Sequence, residues 1–197
     1  MLGSITPLGE RGRGSVWGPT VAAYAAASVM AATTFGAVLG TIGSLGSVAP
    51  ASARLGLLGS IVAIGLALDL RAFGARLPTV RRQVDEGWRT RYRGWVWGLG
   101  FGAQLGVGVV TVVTTSMVYA TWAAAAISGT AIAGAAIGAT FGLARALPVF
   151  SVAGVRRPDQ LLRVDAVLER LAAPSRWATS VAGLVLATTA IVGAARW

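Results

Sequence analysis

GWVWGLGFGAQLGVGVVTVVTTSMVYATW, residues 94–122, is the stretch whose reading decides the fold of this chain. No acidic or basic residue occurs between Arg93 and Arg145, so this apolar run passes directly into a second one. A helical crossing of the hydrocarbon core takes about 20 mainly apolar residues, and the run is longer than that. Its first half carries Gly98, Gly100, Gly102, Gly106 and Gly108; its second half carries Thr111, Thr114, Thr115 and Ser116. In water each glycine costs a helix about 1 kcal/mol, but in a bilayer glycines let helices approach closely or break. The segment reads as a long transmembrane helix with a polar midsection, glycine-rich enough to be discontinuous.

Outward from that stretch, the chain divides into further apolar runs. A Gly-rich, polar lead (residues 1–15) precedes a first span over about 17–45, where Pro19 suits a first helical turn. A short turn with Pro50 leads to a second span over about 54–73 and then a basic loop, 74–93. Within that loop Val80, Val84 and Trp88 share one helical face, which suits a helix lying on the membrane surface. The third span ends near residue 125, a tight turn covers 128–130, and a fourth span covers about 131–150, interrupted by Pro148. A second basic loop, 151–176, mixes Leu161, Leu162, Val164, Val167 and Leu168 with charges and reads as another interfacial helix. The fifth span covers about 177–195. The expected fold is all-α: a polytopic helical membrane protein with five transmembrane helices in a single domain. Val16-Trp17-Gly18 and Val96-Trp97-Gly98 each open a long small-residue span, the mark of a two-span unit repeated in tandem.

Composition agrees with that class. The chain has 197 residues, 55% of them hydrophobic and only 12% charged, where a soluble domain carries about 25% charged residues. The net charge of +10 comes entirely from arginine. Of 17 basic residues, only Arg54 and Arg196 fall on one side of the five-span topology; the other 15 fall opposite. By the positive-inside rule this places the N-terminus inside and the C-terminus outside a cell membrane. The same distribution accounts for the basic charge without a nucleic-acid partner. Val16–Leu45 is too long for the apolar core of a cleaved signal peptide, so the first span is expected to be retained. With neither cysteine nor histidine, disulfides, thiol redox chemistry, zinc sites and imidazole catalysis are excluded. No cofactor is expected.

GLGFGAQLGVGVVT (residues 98–111) resembles the opening of the fourth helix in the CcdA/DsbD-type transmembrane family, the cytochrome c biogenesis protein transmembrane region. FGLARALPVF (residues 141–150) is similar to the end of that family's fifth helix. The resemblance implies the family's helical fold with its short first helix missing. The family passes reducing equivalents through a cysteine pair, and one of these would fall near Val109 or Val110. A chain without thiols has nothing to attack a disulfide, so the resemblance implies a shortened relative without redox chemistry.

Candidate sites follow from polarity at depth. Gln104, Thr111, Thr114, Thr115, Ser116 and Tyr119 are the most polar set within a span. They either line a substrate pathway along a broken helix or bond back to helix carbonyls. Asp69 and Arg145 are the ionisable residues nearest membrane depth, and charge there is costly enough to suggest function. They are candidates for a mutual charge pair; the plainer reading has Arg145 reaching the interface and Asp69 pairing with Arg71 or Arg76. Trp17, Trp95, Trp97, Trp122, Trp177 and Trp197 lie at span ends and read as an aromatic belt. The GxxxG pairs Gly36/Gly40 and Gly134/Gly138 mark close helix contacts, within one chain or between two.

Two functions remain open. One is a non-enzymatic accessory or assembly subunit that binds a membrane or extracytoplasmic protein, or a second copy of itself. The other is a small transporter using the Gly/Thr-rich broken helix as its pathway.

Overall fold

The computed structural model describes residues 5–46, 49–70, 92–110, 113 and 115–196. Among these there are seven α-helices and no strands: α1 (Pro7–Gly12), α2 (Trp17–Ser44), α3 (Ala51–Asp69), α4 (Gly94–Val107), α5 (Met117–Ile127), α6 (Ala131–Ala146) and α7 (Pro158–Ala195). A 3₁₀ turn, Leu147–Val152, extends α6. Four helices are long and apolar enough to cross a membrane: α2, α3, α6 with its extension, and α7. The expected third span is split into α4 and α5, neither of which reaches that length.

Glycine ladders set the packing. Down α4, Gly98 faces Thr20, Gly102 faces Tyr24 and Gly106 faces Ser28, so α4 runs parallel to α2. Down α6, Gly134 faces Gly36, Gly138 faces Ala32 and Gly142 faces Ser28, so α6 runs antiparallel to α2. A methyl group at any of these glycines would collide with a backbone carbonyl across the contact. The two GxxxG pairs therefore meet each other inside one chain. Where lipid tails are as apolar as leucine, such close packing is what holds helices together. A second pair, α3 and α7, is antiparallel, with Gly56 against Ala194 and Gly59 against Ala187 and Ile191. Helix α5 bridges the halves, touching α2, α3 and α6.

The described part of the polar lead carries α1: Thr6 caps it by accepting from the Gly9 N–H at 3.0 Å, and the Trp17 Nε1–H donates to the Ile5 carbonyl at 3.0 Å. Two expectations need correction. The expected interfacial helix and fifth span are one 38-residue helix, α7, continuing through Pro174. Proline removes one backbone donor, but the turn before it, Glu169 to Ala173, consists of good helix formers, and the turn is exposed, so water can satisfy the freed carbonyl. The aromatic belt is only partly present. Trp95 and Trp177 are exposed, whereas Trp97 and Trp122 are buried in separate clusters. The surface helix expected over 78–88 lies outside the described residues.

Candidate functional site: a charge-clamped helix break

Helix α4 ends at Val107 and α5 begins at Met117, and local sequence explains both edges. Gly108 ends α4 with φ of 76°, a left-handed conformation that glycine adopts without steric cost, and its N–H donates to the Gln104 carbonyl at 3.2 Å. Helix α5 restarts after Ser116. The Trp122 Nε1–H donates to the Val107 carbonyl at 2.9 Å, stitching the end of α4 to the middle of α5. The same indole packs edge-on against Phe35 and Phe141, with ring centroids 4.8 and 5.0 Å away.

The first turn of α5 needs partners for its orphan N–H groups, and Asp69 supplies one from α3. Its carboxylate accepts from the Ser116 N–H at 2.9 and 3.0 Å, from the Ser116 hydroxyl at 2.7 Å and from the Thr115 hydroxyl at 3.0 Å. The other end of α5 is held from the same helix. Arg54 donates through Nε and a terminal nitrogen to the Ile127 carbonyl at 3.1 and 2.7 Å, and to the Ser128 carbonyl at 3.1 Å. Thus the only two charged residues of α3 sit at opposite ends of α5, anion at its N-terminus and cation at its C-terminus, each with the favourable sign for the helix dipole. At about 1.5 Å per residue, Arg54 and Asp69 stand about 22 Å apart and α5 is about 16 Å long; the long arginine side chain makes up the difference.

A cavity of about 680 Å³ opens beside this clamp, lined by Asp69, Leu70 and Thr115 on one side and by Ser175, Arg176, Trp177, Thr179 and Ser180 of α7 on the other. Asp69 and Arg176 share the cavity without forming an ion pair. The Ser175 and Thr179 hydroxyls donate to the Ala172 and Ser175 carbonyls at 3.0 and 2.8 Å, so they offer the cavity only acceptor lone pairs.

The structure brings together Asp69, Thr115 and Ser116, residues that the sequence divides between two candidate sets. It does not bring Asp69 to Arg145. The Arg145 guanidinium lies over the Phe141 ring at 5.5 Å, its Nε has no hydrogen-bond partner, and its backbone carbonyl accepts from the Tyr24 hydroxyl at 3.5 Å. The two residues belong to different helix pairs, which is why no bridge forms. Gln104 is half-buried on α4, away from the carboxylate, and Tyr119 packs beside the Ala32–Val113–Val118–Trp122 cluster. Thr111 and Thr114 lie outside the described residues, as do Arg71 and Arg76. Sequence reasoning missed Glu10. It is fully buried, paired with Arg13 and bonded to the Thr20 hydroxyl at 3.1 Å. It also gave Arg54 no role. The available signal was two opposite charges at the ends of one otherwise apolar span. Among the described residues no group of three or more carboxylates could hold a metal ion.

No protein-family model matches the chain, and no solved structure does. Three curated proteins do, all of them methylamine utilization protein MauF. The chain is 34% identical to that of Paracoccus versutus over 149 residues, 74% of this chain and 54% of the relative. Against that of Methylophilus methylotrophus it is 33% identical over 153 residues, 75% and 53% of the two chains. Against that of Paracoccus denitrificans it is 36% identical over 179 residues, 85% and 61%. The chain therefore spans between half and two thirds of the length of these relatives. This overturns the expected kinship with CcdA/DsbD-type proteins. The residues that carried that resemblance, Gly98, Gly102, Gly106 and Gly142, are the rungs by which α4 and α6 pack on α2. Close helix packing demands small residues in any membrane bundle, and so mimics kinship. The chain's measured likeness is to the methylamine utilization protein MauF.

Proposed function

We propose that this chain is an integral membrane accessory protein of methylamine utilization, serving a partner protein rather than carrying out chemistry of its own. The observation that carries the reading is its likeness to MauF proteins along 74–85% of its length. The internal polar groups support it, because Asp69, Ser116, Arg54 and Trp122 spend their hydrogen bonds on holding helices together. The proposed topology counts α4 and α5 as one broken crossing, giving five spans of the cytoplasmic membrane. The arginine-rich end, with Arg13, Arg93 and Arg176, faces the cytoplasm, and the Arg54 end faces outward.

Deleting the gene in its native host tests this. The expected result is loss of growth with methylamine as sole carbon source and normal growth on succinate. Mild-detergent purification of the full chain should then recover a stoichiometric partner made under methylamine growth. Undiminished growth of the deletion strain on methylamine would overturn the proposal. The second reading, a small transporter, draws on the cavity between Asp69 and Arg176. It requires the purified chain alone to move labelled methylammonium into liposomes, and an Asp69→Asn variant to slow that flux.

A further inference from the structure

A second cavity, of about 500 Å³, lies at the arginine-rich end where α2 and α4 begin; Arg13, Ser15, Val16, Thr20, Arg93 and Trp95 are among the residues lining it. Its charge balance is positive. Glu10 is fully buried beneath it and engages Arg13 and Thr20, so it offsets one arginine without presenting a carboxylate to the cavity. Arg93 is exposed and forms no ion pair with any described residue, so among the described lining residues its guanidinium faces the space without a balancing carboxylate. Arg93 is also the N-cap of α4 and gives that helix no side-chain cap; the buried Glu10 carboxylate lies against Gly94, the first residue of α4, and balances that helix end. Arg13 itself is held in place, lying over the Trp97 ring at 5.4 Å.

The lining also includes exposed apolar groups. Val16 is 70% exposed and Trp95 49% exposed, and Pro19 stands beside them. These apolar groups flank the cavity at the helix ends, which the proposed five-span topology sets at the level where acyl chains give way to headgroups. A cationic, hydroxyl-bearing lining beside exposed apolar groups matches a ligand that is anionic at one end and hydrocarbon at the other. We propose that this cavity binds the phosphodiester headgroup of an anionic phospholipid, with Arg93 as the principal phosphate contact and Trp95 and Val16 against the start of its acyl chains. Guanidinium groups pair with phosphate through strong charge-assisted hydrogen bonds. The lipid so bound would lie against the start of α2 and α4 and brace the buried Glu10–Arg13 cluster.

The test is thermal unfolding of the full chain in detergent, titrated separately with dioleoylphosphatidylglycerol, dioleoylphosphatidylcholine and inorganic phosphate. Native protein should gain several degrees with phosphatidylglycerol, and much less with phosphatidylcholine or inorganic phosphate. Arg93→Gln should keep its lipid-free midpoint and require roughly tenfold more phosphatidylglycerol for half-saturation, the loss expected for one charge-assisted contact. Arg196→Gln, at the opposite end, should behave as native. Equal stabilisation by phosphatidylcholine would overturn the proposal, since only bulk lipid would then be acting. An equal shift from inorganic phosphate would also overturn it, showing a site for soluble anions. If Arg93→Gln lowers the lipid-free midpoint, Arg93→Lys decides: half-saturation within about threefold of native supports charge recognition, and complete loss of the shift refutes it.

Discussion

At the scale of the residue, Asp69 is a helix cap supplied from another helix. A carboxylate with four donor contacts at a helix N-terminus combines capping with a favourable dipole term. Removing it takes the acceptor from the buried Ser116 N–H and hydroxyl, so Asp69→Ala should lower stability by about 2 kcal/mol. Asp69→Asn should lose about half as much, because the amide oxygen still accepts while its NH₂ meets other donors. Denaturant unfolding of the purified protein measures both, and an Asp69→Ala variant as stable as native would remove the cap from the account. Trp122→Phe keeps the edge-on contacts with Phe35 and Phe141 but drops the bond to Val107. It should cost about 1 kcal/mol and raise hydrogen exchange at the N–H groups flanking the break, leaving those of α7 unchanged. The sequence shows Asp69 as an ionisable residue near a span end, but nothing local shows that its partner lies 47 residues further along the chain.

At the scale of the element, the glycine ladders decide which helices are neighbours. Gly138 sits where a methyl group would collide with the Ala32 carbonyl, and backbone cannot yield there as a flexible side chain would. Gly138→Leu should therefore force α6 off α2 and destabilise the protein by about 3 kcal/mol or more, whereas Gly154→Ala, in open space, should be neutral. A loss of thermal stability equal in both would contradict the ladder. The edges of α2 were legible from apolar length and the fragile nature of the third span from its glycines, whereas α3 begins three residues before the expected 54 and ends at Asp69. The continuity of α7 through Pro174 was not. A proline and a charge cluster read as a boundary along the sequence, while the helix persists because exposed turns tolerate a missing bond.

At the scale of the whole molecule, the arginine distribution sorts the helix ends into two faces. Single-cysteine labelling suits this chain, because it has no native cysteine. In right-side-out membranes, Ala49→Cys should react with an impermeant maleimide and Gly154→Cys should not; in inverted membranes the pattern should reverse. Both sites reacting from one side would refute the odd number of crossings. The sequence by itself determined that this is an all-helical chain of membrane-spanning character, since apolar length and charge scarcity are linear properties set by bilayer thickness and by the cost of buried charge. It also determined that thiol and imidazole chemistry are absent. Only the tertiary structure decided that Asp69 and Arg54 clamp α5, that Trp97 and Trp122 are core residues, and that the GxxxG pairs face one another within a single chain. Each of those depends on which surfaces meet. Small and apolar residues look alike along a sequence, and only packing distinguishes a surface facing lipid from one facing another helix.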